Sequence, residues 1–245
     1  MDKCLNCGAE IETKYCPHCG QERIVKRLEV KTIFHEITHG ILHWENSILN
    51  TFKILLTRPG NFVREYIGGK RKSFVKPFSF FLFFQSLYVI IFHWLGDKYF
   101  AFLRMNISSD APAEKIEQMQ HLISKNINYL NFILPVIFAF FFKLVLKKRT
   151  GVNYAESLVF SFYTTGAVLV AGMFFMLLSI IDIRLWNLRF VFNFIYLTLA
   201  ISQFAEYRKI KGFFTGALVF FLSYFVFIVL VSIFTILYLK YIMNF

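Results

Sequence analysis

The sequence predicts an all-α integral membrane protein: five transmembrane helices, preceded by a small cysteine ribbon and a cytoplasmic amphipathic helix. Three observations carry that prediction. The 245 residues are 57% hydrophobic and 20% aromatic, with 33 Phe and a mean hydropathy of +0.54, whereas soluble domains are about 45–50% apolar. The apolar residues gather into long runs after Pro77, and all four cysteines lie ahead of them. The cations gather on one side of those runs. The domains expected are therefore residues 1–24, 25–76 and 77–245.

The ribbon comes first. Cys4-Leu5-Asn6-Cys7-Gly8 and Cys16-Pro17-His18-Cys19-Gly20 are two Cys-x-x-Cys pairs, each followed by glycine. Glycine there permits the tight turn that brings backbone N–H groups toward the thiolates. Four thiolates close a tetrahedral shell, which suits a structural zinc rather than a catalytic one. One structural zinc on Cys4, Cys7, Cys16 and Cys19 is the cofactor expected. The bland alternative is a pair of disulfides or a redox couple. Placement in the cytoplasm argues against disulfides, and no βαβ pattern accompanies a redox motif. With the ribbon at the start, no cleavable signal peptide is expected.

Between residues 28 and 56 apolar residues recur with helical period: Val30, Ile33, Phe34, Ile37, Ile41, Trp44, Ile48, Phe52 and Leu55. They form an amphipathic stripe whose other face is too polar to cross a bilayer. Such a helix lies on the cytoplasmic leaflet or against the transmembrane bundle. On it, His35-Glu36-Ile37-Thr38-His39 matches H-E-x-x-H, the zinc-protease pattern, with His43 a further turn on. These histidines fall opposite the apolar stripe, no soluble domain follows to build a cleft, and the metzincin extension fails at Leu42 and Glu45. A solvated polar face is the expectation, and a membrane metalloprotease the lesser alternative.

The stretch from Thr57 to Pro77 organises the chain. Pro59-Gly60 ends one helical pattern, Gly68-Gly69 supplies a second break, and Lys70, Arg71, Lys72 and Lys76 stack cations ahead of Pro77. Cations there resist entering hydrocarbon and hold their side in the cytoplasm. Arg58, Arg64, Lys70, Arg71 and Lys72 are the candidate surface for anionic head groups or an acidic partner. The plain alternative is a positive-inside anchor.

Five spans follow, at residues 78–95, 129–146, 158–181, 190–204 and 213–239, the fourth the shortest against the ~20 residues a span needs. Residues 1–76 hold 13 Lys and Arg; the loops at 143–149 and 208–211 bring that side to 20, against 7 on the other. The bias predicts a multi-pass inner-membrane protein with a cytoplasmic N-terminus and an external C-terminus. It also accounts for the net charge of +12 through anionic lipid head groups, without nucleic acid. The outer segment 96–128 carries a helix start at Asp110 and a short pattern through Ile116, Met119 and Ile123, with no catalytic spacing. Polar residues inside the spans are uncharged: Gln85, Asn131, Thr164, Thr165, Asn193 and Gln203. Ionisable Glu156, Asp182 and Glu206 sit near span ends, and Gly166 and Gly172 suit close helix contacts. No nucleotide loop, nucleophile elbow or carboxylate pair appears.

The ribbon together with residues 51–71, TFKILLTRPGNFVREYIGGKR, and Pro77 resembles an uncharacterised bacterial family of zinc-ribbon membrane proteins (domain of unknown function 3667). The likeness covers about the first 95 residues and implies no activity. A weaker similarity is to Yip1-type five-span membrane proteins, through the cytoplasmic arm and the loop Gly151-Val152-Asn153-Tyr154. It implies a membrane-organising or adaptor role. The expected function is thus a non-enzymatic adaptor that binds a protein partner or anionic lipid. The alternative is a lipid or small-solute carrier or channel.

Overall fold

The computed structural model describes residues 2–31, 33, 45–106 and 131–242. The histidine motif with His43 and the Asp110 helix start lie outside the described residues. In chain order the elements are β1 (Asp2–Lys3), β2 (Glu10–Ile11), α1 (Glu45–Thr57), α2 (Pro59–Ile67) and α3 (Pro77–Asn106). Then come α4 (Leu134–Thr150), α5 (Tyr154–Leu178), a 3-10 turn (Ile183–Asn187), α6 (Leu188–Phe204) and α7 (Lys209–Ile242). The chain is mostly helical; β1 and β2 pair antiparallel, Asp2 opposite Ile11.

A helix that is apolar all round belongs in the centre of its assembly, and α5 is that helix. Every residue from 155 to 169 is buried, flanked by α3, α4 and α6. Aromatic rings fill its surroundings. Phe160 stacks on Phe142 at 4.1 Å between centroids. Tyr163 meets Phe62 and Tyr66 edge-on at 5.0 and 5.2 Å and donates its hydroxyl to the Val75 carbonyl at 2.5 Å. Gly166 makes room for Phe80, whose ring carbon would stand 2.7 Å from an added Cβ. The expectation of close helix contact at Gly166 is met. By contrast α7 sits at the margin against α6 and α4, with Phe214, Phe221, Phe225 and Ile228 exposed. Such a face suits hydrocarbon rather than water.

Among the described residues, four helical segments are long and apolar enough to cross a membrane: Pro77–Leu95, Tyr154–Leu178, Arg184–Phe204 and Lys209–Leu237. The fourth predicted span, too short at 190–204, is lengthened by the 3-10 turn that Asp182 caps, its Oδ1 accepting from the Arg184 amide at 2.8 Å. The second predicted span falls on α4, which is not among these four: it is a 17-residue helix from Leu134 to Thr150 with Lys147, Lys148 and Arg149 in its last turn. α4 and α6 finish at the ribbon end of the bundle, where α3, α5 and α7 begin. The contacts of Arg27 with Gly151 and of Gly60 with Gln203 fix that polarity.

Where it is described, the amphipathic stripe faces the bundle except at Val30, which is exposed. Leu28, Ile33 and Leu55 are buried in the main core, with Ile48 and Phe52 packed on it. The two breaks fall where expected. Pro59 opens α2 as its first residue, and Gly69 leaves it with φ +119°. Gly60 serves a second purpose, since a Cβ there would meet the Ala200 carbonyl oxygen at 2.1 Å and the Phe204 nitrogen at 2.4 Å. The start of α2 thus rests directly on the backbone of α6.

Candidate functional site

The four cysteines close on one point. Each pair makes the same knuckle: the Gly8 amide donates to the Cys4 carbonyl at 2.9 Å and the Gly20 amide to that of Cys16 at 2.8 Å. Both glycines have positive φ, +79° and +70°, a conformation that glycine adopts without a Cβ penalty. The Cys4 and Cys16 amides donate back to Ala9 and Gln21 at 2.7 and 2.9 Å, so two like hairpins face each other. All four sulfurs lie within 4.8 Å of one another. Cys4 Sγ is 3.6 Å from Cys19 Sγ, and Cys7 Sγ is 3.5 Å from Cys16 Sγ. Metal–sulfur bonds of about 2.3 Å in a tetrahedron place sulfurs about 3.8 Å apart, so the four residues fit one metal ion. A disulfide needs about 2.05 Å, and all four cysteines are free.

Their acidities differ. Desolvation opposes the Cys4 thiolate, but the Cys7 and Asn6 amides and the neighbouring thiols outweigh it, bringing Cys4 down to about 6. The Ala9 amide favours the Cys7 thiolate, yet desolvation and the sulfurs of Cys16, Cys19 and Cys4 prevail, pushing Cys7 up to about 12. Four thiolates this close repel one another, and a bound cation relieves that repulsion while protons leave.

The ribbon is stitched to the basic stretch. Asn6 donates from Nδ2 to Ser73 Oγ at 2.9 Å and accepts from the Ser73 amide at 3.3 Å. Gln21 Oε1 accepts from the Lys72 amide at 3.1 Å. Gly69 approaches Leu5 so closely that a Cβ would lie 2.8 Å from Leu5 Cδ1. From there the arm crosses to the bundle. Arg27 donates to both carboxylate oxygens of Glu156 at 2.8 and 3.0 Å and to the Gly151 carbonyl at 2.8 Å. Asn153 donates to the Leu28 carbonyl at 3.0 Å. Glu156 and Asn153 also form a capping box on α5.

The five candidate cations do not form one bare surface. Arg58 and Lys70 share Glu65, at 2.9 and 3.3 Å. Arg64 pairs with Glu206. Arg71 caps the end of α2, donating to the carbonyls of Tyr66 and Ile67 at 3.2 and 3.3 Å, and reaches the Lys26 carbonyl at 3.3 Å. Lys72 stands beside Gly20. Arg64 and Arg71 do share a cleft of about 690 Å³ between arm and bundle, and Lys26, Arg27 and Arg149 join them. Against these five cations stand two carboxylates, Glu156 and Glu206. Sequence reasoning missed Lys26, Arg27 and Arg149 as site residues. The one signal for Arg149 was its place in a basic loop ahead of Gly151.

Residues 45–89 match the model of a family described as "Protein of unknown function (DUF3667)". That match spans α1, α2, the basic stretch and the start of α3. No curated protein and no solved structure matches the chain.

The bidentate pair predicts a graded response. Arg27→Met leaves a carboxylate whose side chain is 7% exposed without its main partner. Arg27 itself is 62% exposed, so solvent screens the pair and the expected effect is a fall of about 2–4 °C in melting temperature. Arg27→Lys, which keeps charge but not the fork, falls between. Thermal unfolding of the full chain in detergent checks this, and a wild-type melting curve for Arg27→Met contradicts it.

Proposed function

We propose that this chain is a non-enzymatic adaptor or membrane-organising protein of the bacterial inner membrane. It acts through its cytoplasmic face, where the basic cleft takes an anionic group: the phosphate of a lipid head group or a carboxylate of a partner protein. The observation that carries the reading is the cleft itself, with five cations to two carboxylates at the ribbon end of a membrane bundle. Each cation near an anionic leaflet contributes about 1 kcal/mol. Arg149 is suited to a ligand because its described contact is a ring, Tyr207 at 5.8 Å, rather than a carboxylate. Short-chain dihexanoyl phosphatidylglycerol is expected to raise the melting temperature of the detergent-solubilised chain where dihexanoyl phosphatidylcholine does not. Arg149→Gln is expected to remove most of that difference. Equal effects of the two lipids, with no response to an acidic peptide either, defeat the proposal.

In this reading the metal is one structural zinc. The closed set of four sulfurs leaves no position for substrate, so the ribbon shapes the cleft through Leu5, which lines it, while Asn6 and Gln21 hold the ribbon to the basic stretch. Elemental analysis is expected to give one zinc per chain, lost on Cys16→Ser while the bundle still inserts. No metal in carefully purified protein refutes it, and two per chain bring His35 and His39 back into consideration.

The topology proposed is five crossings, with α4 as the second, the N-terminus cytoplasmic and the C-terminus external. The charge bias and the alternating helix polarity support it. Reporter fusions at Thr150 and Lys211 are expected to read cytoplasmic, and fusions at Asp110 and after Phe245 external. A cytoplasmic C-terminus rules the arrangement out.

A further inference from the structure

Four of the six uncharged polar residues that hydropathy leaves inside the spans meet in one place. Gln85 on α3, Asn131 ahead of α4, Thr165 on α5 and Asn193 on α6 line a cavity of about 390 Å³. That volume falls within the range, about 300–1,000 Å³, of small-molecule sites. The cavity lies in the half of the bundle away from the ribbon: Arg189, which also lines it, precedes Phe204 by about 22 Å of helix. Phe92, Val168, Leu169 and Phe227 supply apolar wall. Ile228 both lines the cavity and is 59% exposed on the outside of α7, so the space reaches the lipid-facing surface there.

Arg189 gives this cavity its character. Its guanidinium lies over Trp186 at 4.0 Å and Phe190 at 4.7 Å, and its Nη1 donates to the Tyr88 hydroxyl at 3.4 Å. Those contacts orient the group and leave its charge in place. Among the described residues no carboxylate lines the cavity or pairs with Arg189. Its Nε is buried without a hydrogen-bond partner. One turn deeper on the same helical face, Asn193 is 7% exposed and its Oδ1 also lacks a partner. An unbalanced cation and an unmet acceptor in a low-dielectric interior are each costly. Both demands are met by one molecule that brings an anion to Arg189 and a hydroxyl to Asn193, with hydrocarbon for the walls.

We propose that this cavity binds an anionic amphiphile bearing a hydroxyl beside its charged group. Two sources share that chemistry, a phosphoglycerol head group and a hydroxylated fatty acid. The anion lies on Arg189, the hydroxyl donates to Asn193, and the chain leaves past Ile228. The site is separate from the ribbon-end cleft and does not depend on it.

Native mass spectrometry of the full chain in a nonionic detergent tests this, with 1-oleoyl-lysophosphatidylglycerol, 3-hydroxytetradecanoate and 1-oleoyl-lysophosphatidylcholine as probes. Saturable one-to-one binding of an anionic probe, well above the choline lipid, is expected, and the probe that binds names the source. Arg189→Gln is expected to weaken it about tenfold or more, and Arg189→Lys by about threefold or less. Arg184→Gln, in the 3-10 turn ahead of α6 and outside the cavity, is expected to bind as wild type. Ile228→Trp, at an exposed wall position that tolerates bulk, is expected to block binding, so the test stands even if Arg189→Gln does not fold. Binding of the choline lipid as tight as the better of the two anionic probes overturns the proposal. So does equal weakening by Arg184→Gln and Arg189→Gln, or undiminished binding to the Ile228→Trp protein.

Discussion

Everything at the ribbon end depends on one buried carboxylate. Glu156 sits in the first turn of α5, the helix about which the bundle is built, where its side chain is almost wholly withdrawn from solvent. A charge there persists only if it is paired and hydrogen-bonded. One partner is local, the Asn153 amide. The other is Arg27, 129 residues away along the chain. The demand of Glu156 for that guanidinium draws the arm onto the bundle. It thereby sets the ribbon, through Asn6, Gln21 and Gly69, against the basic stretch. The cleft exists because those two bodies meet there.

Much of this was legible in the sequence because each signal was local. Two knuckles with trailing glycines needed only the cysteine spacing and the steric freedom of Gly8 and Gly20. Pro59 and Gly69 announced helix ends by backbone geometry alone. The breadth of apolar composition gave the helical bundle. What stayed hidden was long-range pairing. Nothing near Arg27 marks it as a partner of Glu156, and Arg149 looked like one more positive-inside charge. The shortfall in the fourth span arose because a 3-10 turn and the first turn of α6 carry apolar residues across Arg184 and Arg189, which hydropathy alone reads as loop. Residues Gln85, Asn131, Thr165 and Asn193 were visible one by one, but their convergence is a property of four segments together.

The matched family segment takes on a different meaning in this setting. Its arginine, glycine and tyrosine positions are largely spoken for by the fold. Arg58 and Lys70 bracket Glu65, Gly60 admits the α6 backbone, Tyr66 meets Tyr163, and Arg71 closes the carbonyl end of α2. A lysine in place of Arg71 would lose a fork that holds three carbonyls, and would do so whether or not the surface binds anything. Charge and architecture are entangled at these positions. Arg149, free of such duties among the described residues, separates them better.

The span of these contacts also bears on how the protein is made. The ribbon closes within itself, Cys4 reaching Cys19 over 15 residues, and so can take shape as soon as it leaves the ribosome. Its docking cannot follow at once. Gly151 lies 124 residues beyond Arg27, and Gln203 lies 143 beyond Gly60. At about 5–20 residues per second, the finished ribbon waits many seconds on its tether while successive helices are threaded into the bilayer. The first part to fold is thus among the last to find its place.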